Sequence, residues 1–221
     1  MLILYLFRKL KWRAWSWLLF RRCGGNSSFD YAFSSSLDNS RDIPTLFVKD
    51  NITSSDNFLA VMGTWVPSSS KLLIISVYAP QDLTKKRVLW DYILHLIDQW
   101  DGDCVIMGDF NEVRTEHERY GLIFNVQGEN TFNCFISLAG LIDLPLNGYA
   151  YTWAHKTVNK MSKLDRFLVS KGLVPSFPCL SALCLERNLS DHHPILMREL
   201  SIDYGPTLSI IFHSWMALTK W

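Results

Sequence analysis

The sequence predicts a mixed α/β sandwich, in which strands and helices form separate layers around a packed core. Two observations lead to this class. Strand-like and helix-like segments alternate as far as residue 140, whereas short strand candidates follow one another beyond residue 150. The length of 221 residues suits one ordinary domain. Hydrophobic residues make up 48% of the chain and charged residues 19%, a balance that favours a packed core over disorder.

The first 22 residues, MLILYLFRKLKWRAWSWLLFRR, are apolar and basic. Lys11 and Arg13 interrupt the apolar run, so the segment lacks the roughly 20 consecutive apolar residues of a transmembrane helix. A signal peptide has its positive charges before the apolar run, whereas here they follow it. Two interpretations stay open, an amphipathic helix lying on a membrane and a helix facing the core, and we predict no membrane partner.

The remaining elements follow from hydrophobic periodicity and turn signals. Residues 24–57 are rich in Ser, Asn, Asp and Gly, which indicates loops around one or two short strands, the best being TLFVKD. Residues 84–100 carry an apolar stripe at helical spacing, with Asp82 or Thr84 as the candidate cap and His95 at the surface. The other predicted elements are a hairpin of NFLAVMGTWV and KLLIISVYA, an apolar strand DCVIMGDF, a helix over 130–140 ending at Gly140, and short strands in YTWAH, KLDRFLVS, CLSALCL and PILMREL.

Charge and cysteine content narrow the classes of function. A formal net charge of +1 provides no global attraction to nucleic acid, so any basic patch must be local. The five cysteines form no CxxC or Cys/His pattern, which argues against a structural zinc site. Their apolar surroundings predict reduced, buried thiols in an intracellular protein.

Polar residues gather where the predicted strands end. In MGDFNEV, Asp109 and Asn111 alternate around Phe110. In an extended backbone this spacing directs the carboxylate and the amide to one side and Phe110 to the core. Such a pair can accept a proton from water and donate to an oxyanion. The alternative is a simple turn, because Gly, Asp and Asn also favour turns.

Two further clusters lie in SKLDRFLVS and LSDHHPI. Histidine is the usual general acid or base near neutral pH and needs an acceptor that fixes its tautomer. Asp165 can serve as that acceptor for His192, although a lone ion-pairing Asp is the alternative. No Ser or Cys lies in a nucleophile setting, so the set suits metal-assisted attack of water on a phosphate.

With these motifs in place, the chain resembles the endonuclease/exonuclease/phosphatase superfamily, and more narrowly the endonuclease domain of plant non-LTR (LINE-type) retrotransposon polyproteins. The segments that carry the resemblance occur in the family's order over residues 24–203. They are SVYAPQ, MGDFNEV, YTW, SKLDRFLVS and LSDHHPI. The resemblance implies a four-layer α/β sandwich, two mixed sheets flanked by helices, that hydrolyses DNA phosphodiesters with Mg²⁺.

The resemblance also implies roles for individual residues. Tyr78 matches a tyrosine that contacts the phosphate near the reacting centre. Asp109 matches the acid that orients or deprotonates the attacking water, and Asn111 matches the amide that stabilises the phosphate. His192 matches the catalytic histidine, and Asp165 the acid that holds it.

Beside these, Asp191 matches the acid on the metal side of the site, whereas His193 has no family role and is interpreted as a packing residue or a cap. The loop RTEHERYG is similar to one found in these retroelement domains. Arg114, Arg119 and Tyr120 are therefore candidate contacts to DNA, with a solvated charged loop as the alternative. DNA is the expected partner, in the nucleus, and no obligate protein partner is inferred.

The N-terminal part of the family pattern is missing. Relatives have a first strand ending in Asn and a second ending in a metal-binding Glu, whereas residues 1–22 contain no Asn, Asp or Glu. We therefore predict an apolar and basic segment at 1–22, a partial domain at 23–200 that lacks the first one or two strands, and a linker-like tail at 201–221. Three functions stay open: a Mg²⁺-dependent endonuclease, an inactive retroelement remnant, and a phosphatase of the same superfamily.

Overall fold

The computed structural model describes residues 47–187 and 190–199, together with the backbone of three strands at 3–7, 17–21 and 29–32. The strands of this described part are β1 (Ile3–Phe7), β2 (Trp17–Arg21), β3 (Phe29–Ala32), β4 (Phe47–Ser54), β5 (Phe58–Trp65), β6 (Ser70–Tyr78), β7 (Asp103–Asp109), β8 (Arg119–Tyr120), β9 (Leu141–Asp143), β10 (Leu146–Gly148), β11 (Trp153–Ala154), β12 (Met161–Ser162), β13 (Asp165–Ser170), β14 (Leu180–Cys184) and β15 (Ile195–Glu199). The helices are α1 (Leu83–Asp98), α2 (Val126–Leu138) and α3 (Leu173–Ser176), with a 3-10 turn at Glu116–Glu118.

The described strands form three sheets, which we call A, B and C. Sheet A has the order β10-β14-β15-β1-β2-β3, sheet B the order β4-β5-β6-β7-β13-β9, and sheet C the order β11-β12-β8. Sheet B is mixed, because β6 and β7 are parallel whereas β7 and β13 are antiparallel. Its strand ends therefore bring residues from distant parts of the chain to one edge.

Sheet B is covered on both faces, which explains its nearly continuous apolar strands. On one face, Ile74 and Met107 pack in a cluster that also contains Met197 of sheet A. On the other face, Ile106 packs in a cluster with Trp90 of α1 and Phe132 of α2. A helical layer, sheet B and sheet A follow one another, and the predicted mixed α/β class is confirmed.

The two long helices, α1 and α2, each begin after a residue whose side chain caps them. Asp82 accepts a hydrogen bond from the backbone N–H of Lys85 at 2.9 Å, which confirms it as the cap of α1. The second helix begins at Val126, four residues before the predicted start, because Asn125 caps it through the N–H of Gly128. The predicted hairpin is also present as β5 and β6. No helix of the described residues is long and apolar enough to cross a membrane.

The N-terminal segment differs from the sequence-based expectation. The segment contains two strands rather than a helix, and β1 pairs antiparallel with both β2 and β15. A third strand, β3, pairs with β2. Sheet A therefore continues for three strands beyond β15. Although the sequence predicts that one or two strands of the family fold are absent, β15 is not an edge strand. The predicted tail at 201–221 lies outside the described residues.

Candidate active site

The register of sheet B brings three predicted site residues into one line. Tyr78 at the end of β6 lies opposite Asp109 at the end of β7, and Asp109 lies opposite Asp165 at the start of β13. Neighbouring residues on adjacent strands point to the same face of a sheet. His192 reaches this edge from the loop that precedes β15 of sheet A. The site therefore forms where the edges of two sheets meet, in a cleft of about 550 Å³.

Asp109 and Asn111 come together through a turn rather than through extended backbone. The Asp109 Oδ1 atom accepts a hydrogen bond from the N–H of Asn111 at 2.9 Å, and Asn111 has a φ of 49°. Asparagine tolerates this left-handed conformation. Phe110 is fully buried, as predicted, and the Asn111 Nδ2 atom donates to the carbonyl of Ala79 at 2.6 Å. The sequence analysis gave a simple turn and a functional pair of Asp109 and Asn111 as alternatives. In the structure the turn itself brings the two side chains together.

Gly108 permits the sharp end of β7. Its φ is 134°, and a Cβ atom there would collide with the carbonyl oxygen of Val77 on β6. Only glycine adopts this conformation readily beside a paired strand. The glycine of the GDFN motif is thus required by the backbone that presents Asp109.

His192 lies between two buried carboxylates. Its Nδ1 atom is 2.8 Å from Asp165 Oδ2, and its Nε2 atom is 3.8 Å from Asp109 Oδ2. An ionised carboxylate can only accept, so Nδ1 carries the proton shared with Asp165 and Nε2 faces Asp109. All three residues are at most 6% exposed. The pairing of His192 with Asp165 that the sequence predicted is present in the structure.

Thr152 ties together the two segments that carry this pair. Its side-chain oxygen accepts hydrogen bonds from the N–H groups of Leu164 and Asp165, at 2.9 and 2.8 Å. Its backbone carbonyl accepts the N–H of His193 at 2.6 Å. Because Thr152 is completely buried, these bonds are shielded from water. Thr152 thereby fixes the backbone of Asp165 at the start of β13 and the backbone of the loop that carries His192.

Asp191 and Tyr78 complete the polar wall of the cleft. The indole N–H of Trp153 donates to Asp191 Oδ2 at 3.0 Å, which orients the carboxylate predicted for the metal side. Tyr78 is half-buried and also lines the cleft. His193 does not line the cleft. Its Nδ1 atom is hydrogen-bonded to the carbonyl of Leu185 at 2.9 Å, and its ring contacts Tyr149. Its interpretation as a packing residue agrees with these contacts.

A buried ion pair supports the floor of the cleft. Lys86 of α1 donates to Glu112 Oε2 at 2.8 Å and to the carbonyl of Asn111 at 2.7 Å. Lys86 and Glu112 are only 3% and 2% exposed. A Cβ atom at Gly128 would collide with Glu112, so α2 can pass close to the pair only with glycine there. The ammonium group thus stabilises the turn that presents Asn111.

The three candidate DNA contacts lie in different environments. Arg114 is held by the Asn133 side chain at 2.9 Å and lies 3.4 Å from Asp143. Arg119 lines the cleft, and Tyr120 is 55% exposed on the neighbouring position of β8. Contact with DNA stays a prediction for all three residues.

Arg166 anchors the loop that carries Arg119. Its guanidinium group is fully buried and contacts Glu118 at 2.7 Å and Asp143 at 2.6 Å. Burial alone lowers the pKa of an arginine, but the charge of Asp143 and the contacts with Glu118 raise the pKa of Arg166 overall. Burial raises the pKa of Glu118, yet the hydrogen bond and charge of Arg166 outweigh burial and lower it. The loop is therefore fixed to β13 next to Asp165.

The donor set can hold a metal ion. Among the described residues, ligand atoms of Asp109, Asp165 and His192 lie within 4.8 Å of one another. Because Asp165 is engaged with His192 Nδ1, the atoms that face the cleft are those of Asp109 and His192 Nε2. The Asn111 amide and the Asp191 carboxylate add oxygen atoms to the same cleft. Hard divalent cations favour such oxygen-rich sites.

Sequence reasoning did not assign functions to four residues that line or support the cleft: Lys86, Glu112, Thr152 and Ser162. A signal existed for Lys86, which lies three residues before Leu89 on the apolar stripe of α1, where a charge requires a buried partner. Glu112 directly follows the GDFN motif, and Thr152 lies in the quoted YTW.

The chain thus combines a mixed α/β sandwich with carboxylates and a histidine that line one polar cleft. The chain belongs to the endonuclease/exonuclease/phosphatase family, whose family model matches residues 12–192. The match begins within the segment that the sequence analysis set apart as 1–22. A comparison with curated proteins finds no match.

Two of the solved structures with a similar fold are endonucleases. One is the endonuclease domain of TRAS1, a telomere-specific non-LTR retrotransposon, with 14% identity and a TM-score of 0.53 over 82% of this chain and 78% of that domain. The other is an AP endonuclease from Leishmania major, with 17% identity and a TM-score of 0.52 over 64% of this chain. The match spans 54% of the length of that AP endonuclease, and both similarities concern the fold alone.

Proposed function

We propose that this protein hydrolyses phosphodiester bonds in DNA, as an endonuclease of non-LTR retrotransposon origin related to those of plants. The observation that carries the proposal is the chain of groups from Asp165 through His192 to Asp109, which lies in a polar cleft beside Asn111. This arrangement provides two groups that can assist the attack of water, Asp109 and His192, together with a carboxylate that holds His192 and an amide donor.

The geometry assigns a role to each group. Asp165 holds His192 in the tautomer with the proton on Nδ1, so Nε2 is directed towards the cleft and Asp109. Asp109, at the floor of the cleft, accepts the proton of the attacking water. Asn111 has one amide hydrogen on Ala79 and retains a second for a phosphate oxygen. Tyr78 contacts the same phosphate from the end of β6.

A divalent cation, Mg²⁺ in this proposal, would be held by carboxylate oxygens of Asp109 and Asp191 and would offset the negative charge that develops on the phosphate. DNA as the substrate would place the protein in the nucleus. The motifs SVYAPQ, GDFN, LDRFL and SDHHP support the retroelement origin.

The test is plasmid nicking in the presence of Mg²⁺. General acid–base groups contribute about 10²–10⁴-fold in rate, so His192→Ala and Asp109→Asn should each lower nicking by about that factor. His95→Ala is the matched control, because His95 is an exposed histidine on α1. Chelation by EDTA should abolish nicking by the wild type. Nicking that survives both substitutions would refute the proposed site.

An inactive remnant is the second candidate, and one observation favours it. Residues 1–22 contribute β1, which pairs with β15, but they contain no Asn, Asp or Glu that could act as a metal ligand. Under this alternative, wild type and His192→Ala would be equally inactive on plasmid DNA. Hydrolysis of a phosphate monoester without nicking would instead favour a phosphatase.

A further inference from the structure

Two buried polar atoms without hydrogen-bond partners belong to residues that line the cleft beside the catalytic groups. Among the described residues, the hydroxyl oxygen of Ser162 and the Nε atom of Arg119 have no partner. Ser162 is only 1% exposed. Buried polar atoms are nearly always hydrogen-bonded, and an unsatisfied one is unfavourable. Their position in a polar cleft indicates a ligand that completes them.

The two residues are direct neighbours in sheet C. Ser162 on β12 lies opposite Arg119 on β8 in the antiparallel register. Side chains of opposite residues project to the same face of the sheet. The Arg119 Nη1 atom donates to the carbonyl of Ile123 at 3.2 Å, which fixes the direction of the guanidinium group. A hydroxyl and an oriented guanidinium group thus form one patch.

The charge of Arg119 is only weakly compensated by its ion pair. Its Nη2 atom lies 4.0 Å from Glu112 Oε1, and Glu112 is already paired with Lys86 at 2.8 Å. Two cations therefore surround a single anion at this end of the cleft. The surplus positive charge favours an anionic ligand, and the guanidinium group matches the oxygen atoms of a phosphate.

We propose that Arg119 and Ser162 form a second phosphate subsite, which binds a DNA phosphate next to the one that is cleaved. The inference rests on the proposed function, because it takes the Asp109–His192 end of the same cleft as the reacting site. A substrate that occupies both ends must carry at least two phosphates. The subsite would thereby select a polynucleotide over an isolated phosphate ester.

The first experiment measures binding without catalysis. Full-length protein in EDTA is titrated against a fluorescein-labelled DNA duplex, and the anisotropy gives the Kd. Loss of one hydrogen bond to a charged group corresponds to about tenfold in affinity, so Ser162→Ala and Arg119→Gln should each raise the Kd by about that factor. Arg119→Lys should recover only part of the loss, because it restores the charge without the guanidinium geometry.

The chain offers matched controls for both substitutions. Ser181 on β14 is also buried, at 8% exposure, and its hydroxyl likewise has no partner among the described residues, but it lies outside the cleft. Arg87 is an exposed cation on α1. Ser181→Ala and Arg87→Gln should leave the Kd within about twofold of wild type. Equal effects of Ser162→Ala and Ser181→Ala would show that only packing had changed and would overturn the subsite.

A second experiment locates the bound phosphate. Duplexes carry one uncharged methylphosphonate at successive linkages. Neutralising the linkage that contacts the subsite should weaken wild-type binding about tenfold but should not weaken Arg119→Gln further, as expected for two partners of one interaction. If every linkage weakens both proteins alike, the proposed contact does not exist.

The two proposals fail in different ways. Binding that depends on Ser162 and Arg119, without nicking in Mg²⁺, would support the subsite and refute hydrolysis. Nicking with unchanged binding in both variants would support hydrolysis and refute the subsite. Absence of both binding and nicking in the wild type would refute both. Bis(p-nitrophenyl) phosphate, which has a single phosphate, should be hydrolysed equally by wild type and by the control Ser181→Ala, which lies outside the cleft.

Discussion

Replacing Thr152 by valine should destabilise the fold and the site together. The substitution keeps the shape of the side chain but removes the oxygen that accepts two buried N–H groups, those of Leu164 and Asp165. An unsatisfied buried donor costs about 1–3 kcal/mol. Two such donors amount to about 2–6 kcal/mol, which is a large part of the typical stability of about 5–15 kcal/mol.

The conservative variant Thr152→Ser separates the oxygen from the methyl group. It keeps the acceptor and removes one buried methyl group, a loss of about 1 kcal/mol. Urea unfolding followed by circular dichroism should therefore give a midpoint lower by about 1 M or more for valine and by less than half of that for serine. The backbone bond from His193 to the carbonyl of Thr152 is present in both variants.

Activity provides an independent measure of the same contact. Because Thr152 positions Asp165 without lining the reacting end of the cleft, valine should lower kcat more than it raises KM, and serine should restore most of kcat. A pH profile of nicking should also shift in Thr152→Val, since Asp165 holds His192. Equal unfolding midpoints for the valine and serine variants would refute this reasoning.

Three further predictions concern groups away from the reacting phosphate. The pKa of Glu118 is lowered in the folded state from the usual glutamate value of 4.5, so its ionised form adds stability that is lost as the pH falls through the folded pKa. Acid unfolding of Glu118→Gln should therefore be less steep below about pH 4.5. Lys86→Met should cost about 3–5 kcal/mol in thermal or urea unfolding because Glu112 is left buried and unpaired, and adding Glu112→Gln should recover part of the loss. Burial raises the pKa of the Cys104 and Cys184 thiols to about 12. A thiol reagent at pH 8 should therefore label the exposed cysteines and should not label the buried ones until the protein unfolds, which peptide mass spectrometry can measure. Within the described part of the chain, which does not include Cys23, the exposed cysteines are Cys134 and Cys179 and the buried ones are Cys104 and Cys184.

The prediction that the cysteines are buried was wrong for Cys134 and Cys179, which are exposed. The apolar neighbours of every cysteine suggested burial, but Cys134 lies on the outer face of α2, where the helical period decides exposure. In the strands the same reasoning succeeded for Cys104, because β7 is covered on both faces. Local apolar content predicts burial only where the element itself is buried on all sides.

The N-terminal strands could not be predicted because their pairing is non-local. Residues 3–7 and 17–21 are apolar and aromatic, which is compatible with a helix or a strand over so short a run. Whether the first segment forms a helix or a strand depends on its pairing with β15, which lies nearly 200 residues further along the chain. The central strands and α1, by contrast, contain their own turn, cap and period signals, and each was predicted close to its observed bounds.

Non-local pairing also decides where the side chains of the loop with the candidate DNA contacts lie. Arg114 and Arg119 are five residues apart and were equivalent by sequence. The 3-10 turn and the pairing of β8 with β12 direct Arg114 into an ion-pair network and Arg119 into the cleft. The pairing of Asp165 with His192, in contrast, was predictable, because a histidine in a proton-transfer role requires a nearby acceptor.

The proposed site has two parts that can be tested separately. In the proposal, proton transfer depends on Asp109 and His192, whereas contact with a second phosphate depends on Arg119 and Ser162. Binding energy at a remote phosphate accelerates hydrolysis only if it also positions the reacting phosphate. We therefore propose that substitutions at Arg119 and Ser162 affect DNA binding without metal, and that substitutions at Asp109 and His192 affect nicking with Mg²⁺. A comparison of binding in EDTA with nicking in Mg²⁺ distinguishes the two parts.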